Sequence, residues 1–216
     1  MLIESRSLWH FGTNAYVVAP ERGGPAVIID APPDPDGIAD LLAAFDLTPV
    51  ALLVTHGHID HAGGVDGIAT NGVVAYIHPD DIDMARHPGE QLRALLGSQP
   101  PDLETPAVSS PFQHLTDREV LELAGVAASV IHTPGHTQGH CCFHLVDEGV
   151  LFSGDQLFAG SIGRTDLPGG SYEELMKSMQ ERVLPLPAET RVLPGHGPAT
   201  TLAAERSTNP FLQDLT

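Results

Sequence analysis

One eleven-residue stretch, VTHGHIDHAGG at residues 54–64, constrains this chain more than any other. The stretch begins at the last residue of the apolar run VALLV at 50–54. A short apolar run bounded by turn residues predicts a buried strand. Three imidazoles and a carboxylate then follow within six positions: His56, His58, Asp60 and His61. Held this closely they would crowd and partly repel one another, whereas a divalent metal ion takes neutral imidazole nitrogens and anionic oxygens as ligands. The stretch therefore predicts a metal site at the end of a strand.

The spacing within this stretch favours two adjacent ions over one. His56 and His58 lie two residues apart, so their side chains project alike from an extended segment. Gly57 marks a turn, and Asp60 and His61 lie beyond it. We therefore expect the two pairs of side chains to serve neighbouring ions.

Three later loops repeat the pattern in which a strand ends and a metal-ligating side chain follows among glycines and prolines. They contain His136 in TPGHTQGH, Asp155 in LFSGD and His196 in LPGHGP. A single histidine of this kind is usually an ordinary loop residue, but four such loops are much less expected by chance. One arrangement uses every candidate: His56, His58 and His136 on one ion, Asp60, His61 and His196 on the other, and Asp155 bridging the two.

This arrangement leaves each ion a position for a shared water molecule, as catalytic metal sites do and structural sites do not. Nitrogen and oxygen ligands without thiolate suit zinc, and they also suit iron or manganese. We therefore predict two zinc ions, with iron or manganese as alternatives. Asp60 and Asp155 are the predicted catalytic residues, acting together with a metal-bound hydroxide.

The other seven histidines are predicted to lie outside the ligand set. His10, His78, His87, His114 and His144 lack a comparable context and are expected on the surface or in the core. His132 and His140 flank His136, and we expect them to pack structurally, with a role in orienting the ligands as the alternative.

Charge and cysteine content exclude several classes of function. The formal net charge of −18 comes from 28 Asp and Glu against 10 Lys and Arg, whereas a nucleic-acid partner needs a basic surface. No run reaches the roughly 18 apolar residues of a membrane span, and the N-terminal MLIESRSLWHFG does not resemble a signal peptide. We expect a cytoplasmic protein with a small-molecule substrate. The adjacent Cys141 and Cys142 cannot build an ordinary disulfide framework and are predicted to be buried on a strand.

The apolar patterning predicts more strands than helices over the 216 residues, enough for one large domain or two small ones. Two sheets packed face to face with helices outside would satisfy this order. Predicted strands cover 14–19, 26–30, 50–54, 73–77, 120–123, 127–131, 141–146, 150–152 and 190–193. Predicted helices cover 34–46, 65–69, 91–96 and 172–183, and residues 98–114 are predicted to form a loop rich in Pro and Ser.

The segment THGHIDH, with PGHT, SGD and PGHG downstream, resembles the metallo-β-lactamase superfamily, whose signature is HxHxDH. The resemblance runs from about Asn14 to the C-terminus. It implies an α/β (α+β) fold, a four-layer αββα sandwich of two mixed sheets face to face with helices outside. It also implies the dimetal site assigned above, within a single domain over residues 1–216.

Within the superfamily the chain is most similar to the glyoxalase II-like hydrolases of the short bacterial type. GSIGRTDLPGGS at 160–171 and ERSTNPFL at 205–212 resemble recurring segments of that subgroup. Full-length glyoxalase II has an added C-terminal helical domain that helps to bind glutathione, and we expect no such domain here. The resemblance therefore implies hydrolysis of a thioester of the S-lactoylglutathione type, and it carries over the hydrolase chemistry better than the thiol specificity.

The expected reaction needs few groups besides the metal ligands. Water that bridges two zinc ions has its pKa lowered to about 7, which supplies hydroxide near neutral pH. A thiol pKa near ~8.5 makes a thiolate a tolerable leaving group without a proton donor. No GxSxG nucleophile elbow is present. The predicted substrate contacts are Arg164, Phe158 and Tyr172. The alternative for Arg164 is a structural salt bridge with Asp166, and the alternative for the two aromatic residues is ordinary packing.

Three rival functions stay open on the sequence. A persulfide dioxygenase of the same superfamily would bind one iron through His56, His136 and Asp155, although LPGGS and TNPFL favour the hydrolase. Lactonase or β-lactamase activity is the second rival, the latter weakened by the missing secretion signal, and nuclease activity is disfavoured by charge. A non-catalytic metal-binding protein is the third, and the full set of seven ligand candidates argues against it.

Overall fold

The first sheet places its strands in the order of the sequence. The structure is a computed structural model that describes residues 1–97 and 107–215. β1, β2 and β3 pair antiparallel, whereas β3, β4, β5 and β6 pair parallel. The strands are β1 (Leu2–Leu8), β2 (Thr13–Ala19), β3 (Gly24–Ile29), β4 (Leu47–Leu53), β5 (Val74–Ile77) and β6 (Phe112–His114).

Helix α1 (Pro35–Ala44) makes the crossover that the parallel pair β3–β4 requires. Asp34 caps its N-terminus by accepting a hydrogen bond from the Gly37 backbone amide at 3.0 Å. Its buried residues Ile38, Leu41 and Leu42 recur at helical spacing and pack on the first sheet. The remaining described helices of this half are α2 (Ile59–Ala62), α3 (Val65–Ile68), a 3₁₀ turn (Pro79–Asp81), α4 (Ile82–Arg86) and α5 (Pro88–Leu96).

The second sheet has the order β14-β13-β10-β9-β8-β7. β10 and β13 are parallel and the other pairs are antiparallel, so β8, β10 and β13 all run in one direction. These strands are β7 (Val120–Leu123), β8 (Val126–His132), β9 (Cys141–Leu145), β10 (Val150–Gly154), β13 (Arg191–Pro194) and β14 (Thr200–Thr201); the ribbon β11 (Leu157–Phe158) and β12 (Ser161–Ile162) lies beside them. Helix α6 (Tyr172–Ser178) continues as a π-helix (Met179–Val183), and α7 (Leu202–Thr208) follows β14.

Successive strand residues enter different cores, which defines the four layers. In β4, Leu52 packs toward the helices and Leu53 packs between the sheets. In β9, Cys142 packs toward the outer helices and Phe143 packs between the sheets. Burial of each large side chain contributes about 1.5–3 kcal/mol. The predicted αββα sandwich is confirmed, and Cys141 and Cys142 are buried free cysteines on β9, as predicted.

The structure also departs from the predicted elements. β1 was not predicted because its residues are mostly exposed or half-buried and include Glu4 and Arg6, as expected of an edge strand. Residues 112–114 form the short edge strand β6, so the predicted loop is wrong there, and residues 98–106 of that loop lie outside the described ranges. Within those ranges, no helix is both long and apolar enough to cross a membrane.

Candidate metal centre

Four strand ends meet at one edge of the sandwich. The carboxyl ends of β8, β10 and β13 lie along the same edge of the second sheet because these strands run in one direction. Strand β4 of the first sheet ends opposite them, and the loops that follow carry the candidate ligands. Six of the seven candidates are buried, and His196 is half-buried: His56, His58, Asp60, His61, His136, Asp155 and His196.

The first group contains His56, His58 and His136, from two loops 78 to 80 residues apart. Nε2 of His56 lies 3.0 Å from Nδ1 of His58, and Nε2 of His136 lies 3.2 and 2.9 Å from these two atoms. Three nitrogens that face one another cannot all be satisfied by hydrogen bonds among themselves. Such spacings are close to the ~3.3 Å edge of a tetrahedron with ~2.0 Å zinc–nitrogen bonds.

The second group contains Asp60, His61 and His196. Nε2 of His196 lies 3.1 Å from Oδ2 of Asp60 and 3.3 Å from Nε2 of His61. Oδ2 of Asp60 lies 3.4 Å from Nε2 of His61, so the three atoms form a second compact triangle. One carboxylate and two imidazoles are a donor set that suits zinc, iron or manganese.

Asp155 lies between the two groups. Its Oδ2 is 3.6 Å from Nε2 of His136 in the first group and 3.6 Å from Nε2 of His196 in the second. Its Oδ1 is 3.3 Å from Nε2 of His61 and is buried without a hydrogen-bond partner. Because buried carboxylate oxygens are normally satisfied, this oxygen fits a metal ligand. Asp155 therefore lies where a carboxylate could contact ions in both groups, and its bridging role stays a prediction.

Burial and neighbouring imidazoles keep His56 and His58 of the first group neutral. Burial lowers the pKa of His56 well below its ordinary value, and the neighbouring imidazoles add to this effect. Burial also lowers the pKa of His58 to about 3, with His136 contributing. Neutral imidazoles are the form that binds metal ions, so His56 and His58 can bind a metal ion without losing protons at neutral pH.

The second group instead demands positive charge. Burial alone would lower the pKa of His61, but the carboxylates of Asp60, Asp155 and Asp30 raise it well above the ordinary value. Burial would raise the pKa of Asp60, but His61 and His196 lower it to about 2. A divalent cation would supply the positive charge that these buried carboxylates require.

Asp30 supports both groups from β3. It accepts hydrogen bonds from the Thr55 backbone amide at 2.7 Å and from Nδ1 of His61 at 2.8 Å. The Thr55 hydroxyl also donates a hydrogen bond to Oδ2 of Asp30 at 2.9 Å. Because its one proton is used there, this hydroxyl accepts a hydrogen bond from Nδ1 of His56, 3.0 Å away. Both imidazoles therefore present Nε2 to the metal positions, as outer hydrogen bonds to ligand histidines generally arrange. Thr13 adds a hydrogen bond to Asp60 at 2.8 Å.

Asp81 supports the first group from the 3₁₀ turn. Its buried carboxylate accepts hydrogen bonds from the Gly57 amide at 2.8 Å, the Thr137 hydroxyl at 2.6 Å and the Gly139 amide at 2.7 Å. Gly57 lies between His56 and His58, and Thr137 follows His136. One side chain therefore joins the two loops that supply all three imidazoles of the first group.

Two further contacts orient the ligands. Nδ1 of His136 donates to the Arg164 carbonyl oxygen at 2.7 Å, so the main chain of the GRTD segment sets this ring. Nε2 of His140 accepts a hydrogen bond from the Asp155 amide at 3.1 Å, and Nδ1 lies 2.8 Å from the Thr133 hydroxyl. His140 therefore has the orienting contact that was the alternative prediction. His132 instead stacks on His78 at 4.1 Å and lies apart from the ligand groups.

A cavity of about 410 Å³ lies in front of the two groups. The predicted contacts Arg164 and Phe158 line it, whereas Tyr172 does not. Tyr172, the first residue of α6, is 55% exposed and does not line the cavity, which corrects the prediction for this residue. Arg164 also makes the alternative salt bridge, with both nitrogens bonded to Asp166 at 2.7 and 2.8 Å.

Sequence reasoning missed several residues of the site. Asp30 and Asp81 each follow a strand and resemble the recognised ligand candidates in that respect, but neither lies in a histidine-rich loop. Gln91 on α5 accepts from the Ile59 amide and donates to the Gly57 and Met84 carbonyl oxygens. Phe11, in the turn between β1 and β2, lines the cavity, and the aromatic WHF run before Gly12 was the available signal.

Comparison with known proteins places the chain beside a family of known fold. A model of the family described as the metallo-beta-lactamase superfamily matches residues 8–196. The hydroxyacylglutathione hydrolase GloC of Haemophilus influenzae is 34% identical over 193 residues, covering 87% of each chain.

Two solved structures share the fold. That of the B3 metallo-beta-lactamase BLEG-1 is 38% identical with a TM-score of 0.88, and the match covers 98% of this chain and 99% of that one. That of TTHA1623 in a di-iron-bound form is 38% identical with a TM-score of 0.84, covering 97% of this chain and 100% of that one.

Proposed function

The chain belongs to the metallo-β-lactamase superfamily and is a metal-dependent hydrolase, and within that class we propose that it cleaves thioesters of the S-lactoylglutathione type. Two divalent ions, proposed to be zinc, would be held by His56, His58 and His136 and by Asp60, His61 and His196, with Asp155 between them. When bound, such ions activate a water molecule and polarise the carbonyl under attack. The similarity to GloC supports the reaction class, and the similarity to a protein solved in a di-iron-bound form keeps iron as an alternative metal.

The observation that carries this proposal is that the described residues lining the cavity include no proton donor for the leaving group besides the candidate ligands. Apart from the candidate ligands, the polar side chains that line the cavity in the described ranges are Gln91, Ser161 and Arg164. None of them is a general acid at neutral pH. An amine or alkoxide leaving group needs protonation, whereas a thiolate leaves without it because thiol pKa values lie near ~8.5. A thioester is therefore the substrate that this cavity matches best.

The chain's own residues would orient and protect the reacting groups. The Arg164 carbonyl oxygen and the Asp30 carboxylate hold His136 and His61 in the orientations that ligation requires. The buried Asp155, whose pKa His61 and His136 hold below its usual range despite burial, stays ionised between the two groups. Phe158 packs edge-on against His196, with 6.0 Å between ring centroids, and shields that ligand from solvent.

The test is an assay of purified, metal-loaded protein with S-lactoylglutathione and with a lactoyl thioester of a small neutral thiol. We expect thiol release that a thiol reagent detects, about two metal ions per chain, and loss of both in Asp155→Ala. Two parallel assays test the rival functions: oxygen uptake is measured with a glutathione persulfide, and ring opening is measured with a β-lactam. Oxygen uptake with about one iron per chain, or β-lactam turnover without thiol release from any thioester, would overturn the proposal.

A further inference from the structure

The cavity in front of the metal centre is mostly apolar on the walls that the metal ligands do not form. Resting on the proposed thioester hydrolysis, we propose that the preferred substrate carries an apolar acyl group larger than lactoyl, on a thiol without net negative charge. The acyl group would occupy the 410 Å³ cavity, and the thiol would extend past His58 into a second cavity that three carboxylates line.

Apolar side chains from four separate segments face this cavity. Phe11 comes from the turn between β1 and β2, Leu92 from α5, and Phe158 and Ile162 from the ribbon β11–β12. Leu167, in the loop after the ribbon, closes a further side. Each methylene placed against such walls is removed from water and adds to binding, whereas the lactoyl group offers one methyl and a hydroxyl that needs a partner.

The polar side chains on the walls already have partners within the protein, although that of the Ser161 hydroxyl is a long contact of 3.4 Å to the Ile162 carbonyl oxygen. Gln91 makes three hydrogen bonds, through Oε1 to the Ile59 amide and through Nε2 to two carbonyl oxygens. Arg164 forms a two-point ion pair with Asp166. Neither group can bind a polar substrate without breaking these contacts, which has a cost. The walls that the metal ligands do not form therefore favour an apolar acyl group over a polar one.

The charges around the cavity disfavour glutathione as the thiol. Of the ten Lys and Arg of the chain, all within the described ranges, only Arg164 lines the cavity, and Asp166 balances its charge. The adjoining cavity of about 290 Å³ shares His58, Gln91 and Leu167 with it and is lined by Asp80, Asp83 and Glu90. Residues 98–106 contain no Lys or Arg in sequence. The two carboxylates of glutathione would meet like charge here, at an energetic cost.

The ribbon wall is rigidly placed by the C-terminal segment. Asn209 donates to the Ser161 carbonyl oxygen at 3.0 Å, and Glu205 accepts from the Gly160 amide at 2.8 Å. Both side chains are buried and are bonded to each other at 2.8 Å. The position of Ile162 is therefore fixed before substrate arrives, as a shape-selective wall requires.

The experiment compares thioester series on the metal-loaded enzyme. Acetyl, butanoyl, hexanoyl and octanoyl thioesters of N-acetylcysteamine vary the acyl group, and acetyl thioesters of unbranched alkyl thiols vary the other half. We expect kcat/KM to rise by roughly two- to fourfold per methylene in the acyl series and to stay nearly flat in the thiol series. A flat acyl series, or a rise in the thiol series alone, overturns the inference while thioester hydrolysis itself stands.

A second arm tests charge. S-lactoyl-N-acetylcysteamine should have a higher kcat/KM than S-lactoylglutathione, and added salt should narrow the difference because it screens the repulsion. The double variant Asp83→Asn/Glu90→Gln should narrow it as well, whereas Asp147→Asn/Glu148→Gln, in the turn between β9 and β10, should leave it unchanged. A preference for the glutathione ester at all salt concentrations overturns the charge argument. Failure of every thioester would instead overturn the proposed function.

Phe11→Ala identifies the wall. It should lower the ratio of octanoyl to acetyl kcat/KM by roughly tenfold or more, a ratio that does not depend on the fraction of folded protein. The control is Phe45→Ala, another half-buried phenylalanine, which packs at the end of α1 beside Arg22. An unchanged ratio in Phe11→Ala, or an equal fall in both variants, would contradict the placement of the acyl group.

Discussion

Nδ1 of His61 donates a hydrogen bond to Oδ2 of Asp30 across 2.8 Å, with both side chains at 2% exposure or less. Asp30 has a φ of 60°, in the left-handed region, just after β3. Its backbone amide bonds to the Leu53 carbonyl oxygen at the end of β4, so the strand pairing itself places the carboxylate. A residue outside the ligand set therefore fixes which nitrogen of His61 faces the metal.

Asp30→Asn should weaken metal binding at the second group. An amide at this position can still accept one hydrogen bond, but it removes the negative charge that supports His61, so we expect affinity there to fall by about 10- to 100-fold. Competition of zinc with a chelator, followed by titration, measures it. The exposed Asp36→Asn is the control. Equal affinity in Asp30→Asn and Asp36→Asn would contradict the role given to Asp30.

Asp81→Asn should act on the first group instead. Its carboxylate accepts three hydrogen bonds, and an amide would turn N–H groups toward one of the backbone donors at Gly57 and Gly139. We expect affinity for the first ion to fall by about 10- to 100-fold with the second ion largely retained. Cobalt(II) spectra resolve the two sites, and the neighbouring exposed Asp80→Asn is the control. If Asp81→Asn lowered the melting temperature but still bound both cobalt ions, the role of Asp81 would be merely structural.

Asp155→Ala should weaken both sites at once. Asp155 is the candidate ligand whose carboxylate lies within 3.6 Å of nitrogens in both groups. We expect a loss of activity greater than the roughly 100-fold typical of outer residues, with a metal content well below that of the wild type. Elemental analysis and the thioester assay measure these two effects. Full activity in this variant would mean that the site is misplaced.

Metal removal should lower the thermal stability of the whole domain. An ion that binds only the folded state at about 100 times its Kd contributes about 2.7 kcal/mol, which corresponds to roughly 5–10 °C in the Tm of a protein of this size. A chelator should therefore lower Tm, and added zinc, iron(II) or manganese should restore it. In Asp155→Ala the response should shrink. If the chelator left the Tm of the wild type unchanged, a tightly held metal would be excluded.

The pH dependence of stability should include a contribution from Asp66. Burial alone would raise the pKa of Asp66, but hydrogen bonds from Ser109 and Ser110 lower it below its ordinary value. Because the pKa is lower in the folded state than the ~3.9 of an unfolded aspartate, the stabilisation is present above about pH 4 and is lost as pH falls through the folded value.

Asp66→Asn tests this contribution. It should lower the free energy of unfolding by about 1 kcal/mol at pH 7, and the difference from the wild type should disappear as the pH falls toward 2. Urea unfolding in the presence of a chelator measures it without interference from metal release. A difference that stays constant across this pH range would assign the effect to something other than the ionised carboxylate.

The local sequence predicted much of the fold and the ligand set because these features depend on short-range patterns. The apolar run at 50–54 and the glycines around His56 and His58 mark a strand and its end without reference to the rest of the chain. The same holds for the loops that contain His136 and Asp155. The predicted αββα arrangement likewise followed from the order of elements and the family resemblance.

The supporting residues could not be assigned from the sequence because their roles arise only from contacts across the sheets. Asp81 meets Thr137 through a contact 56 residues apart in sequence, and Asn209 meets Ser161 across 48. Phe11 lies on the cavity wall because the turn between β1 and β2 reaches over the metal groups, whereas Tyr172, the first residue of α6, is exposed and lies outside the cavity. Local sequence patterns do not show which distant segments meet or which side chains face the cavity.

The sequence by itself thus determined which side chains can hold metal ions, since ligand type and strand ends are written in neighbouring residues. The tertiary structure alone decided how those side chains are oriented, what walls the substrate would meet and which charges surround it. The physical reason is that ligand chemistry belongs to single residues, whereas orientation, burial and electrostatic environment are properties of segments that become neighbours only when the two sheets pack.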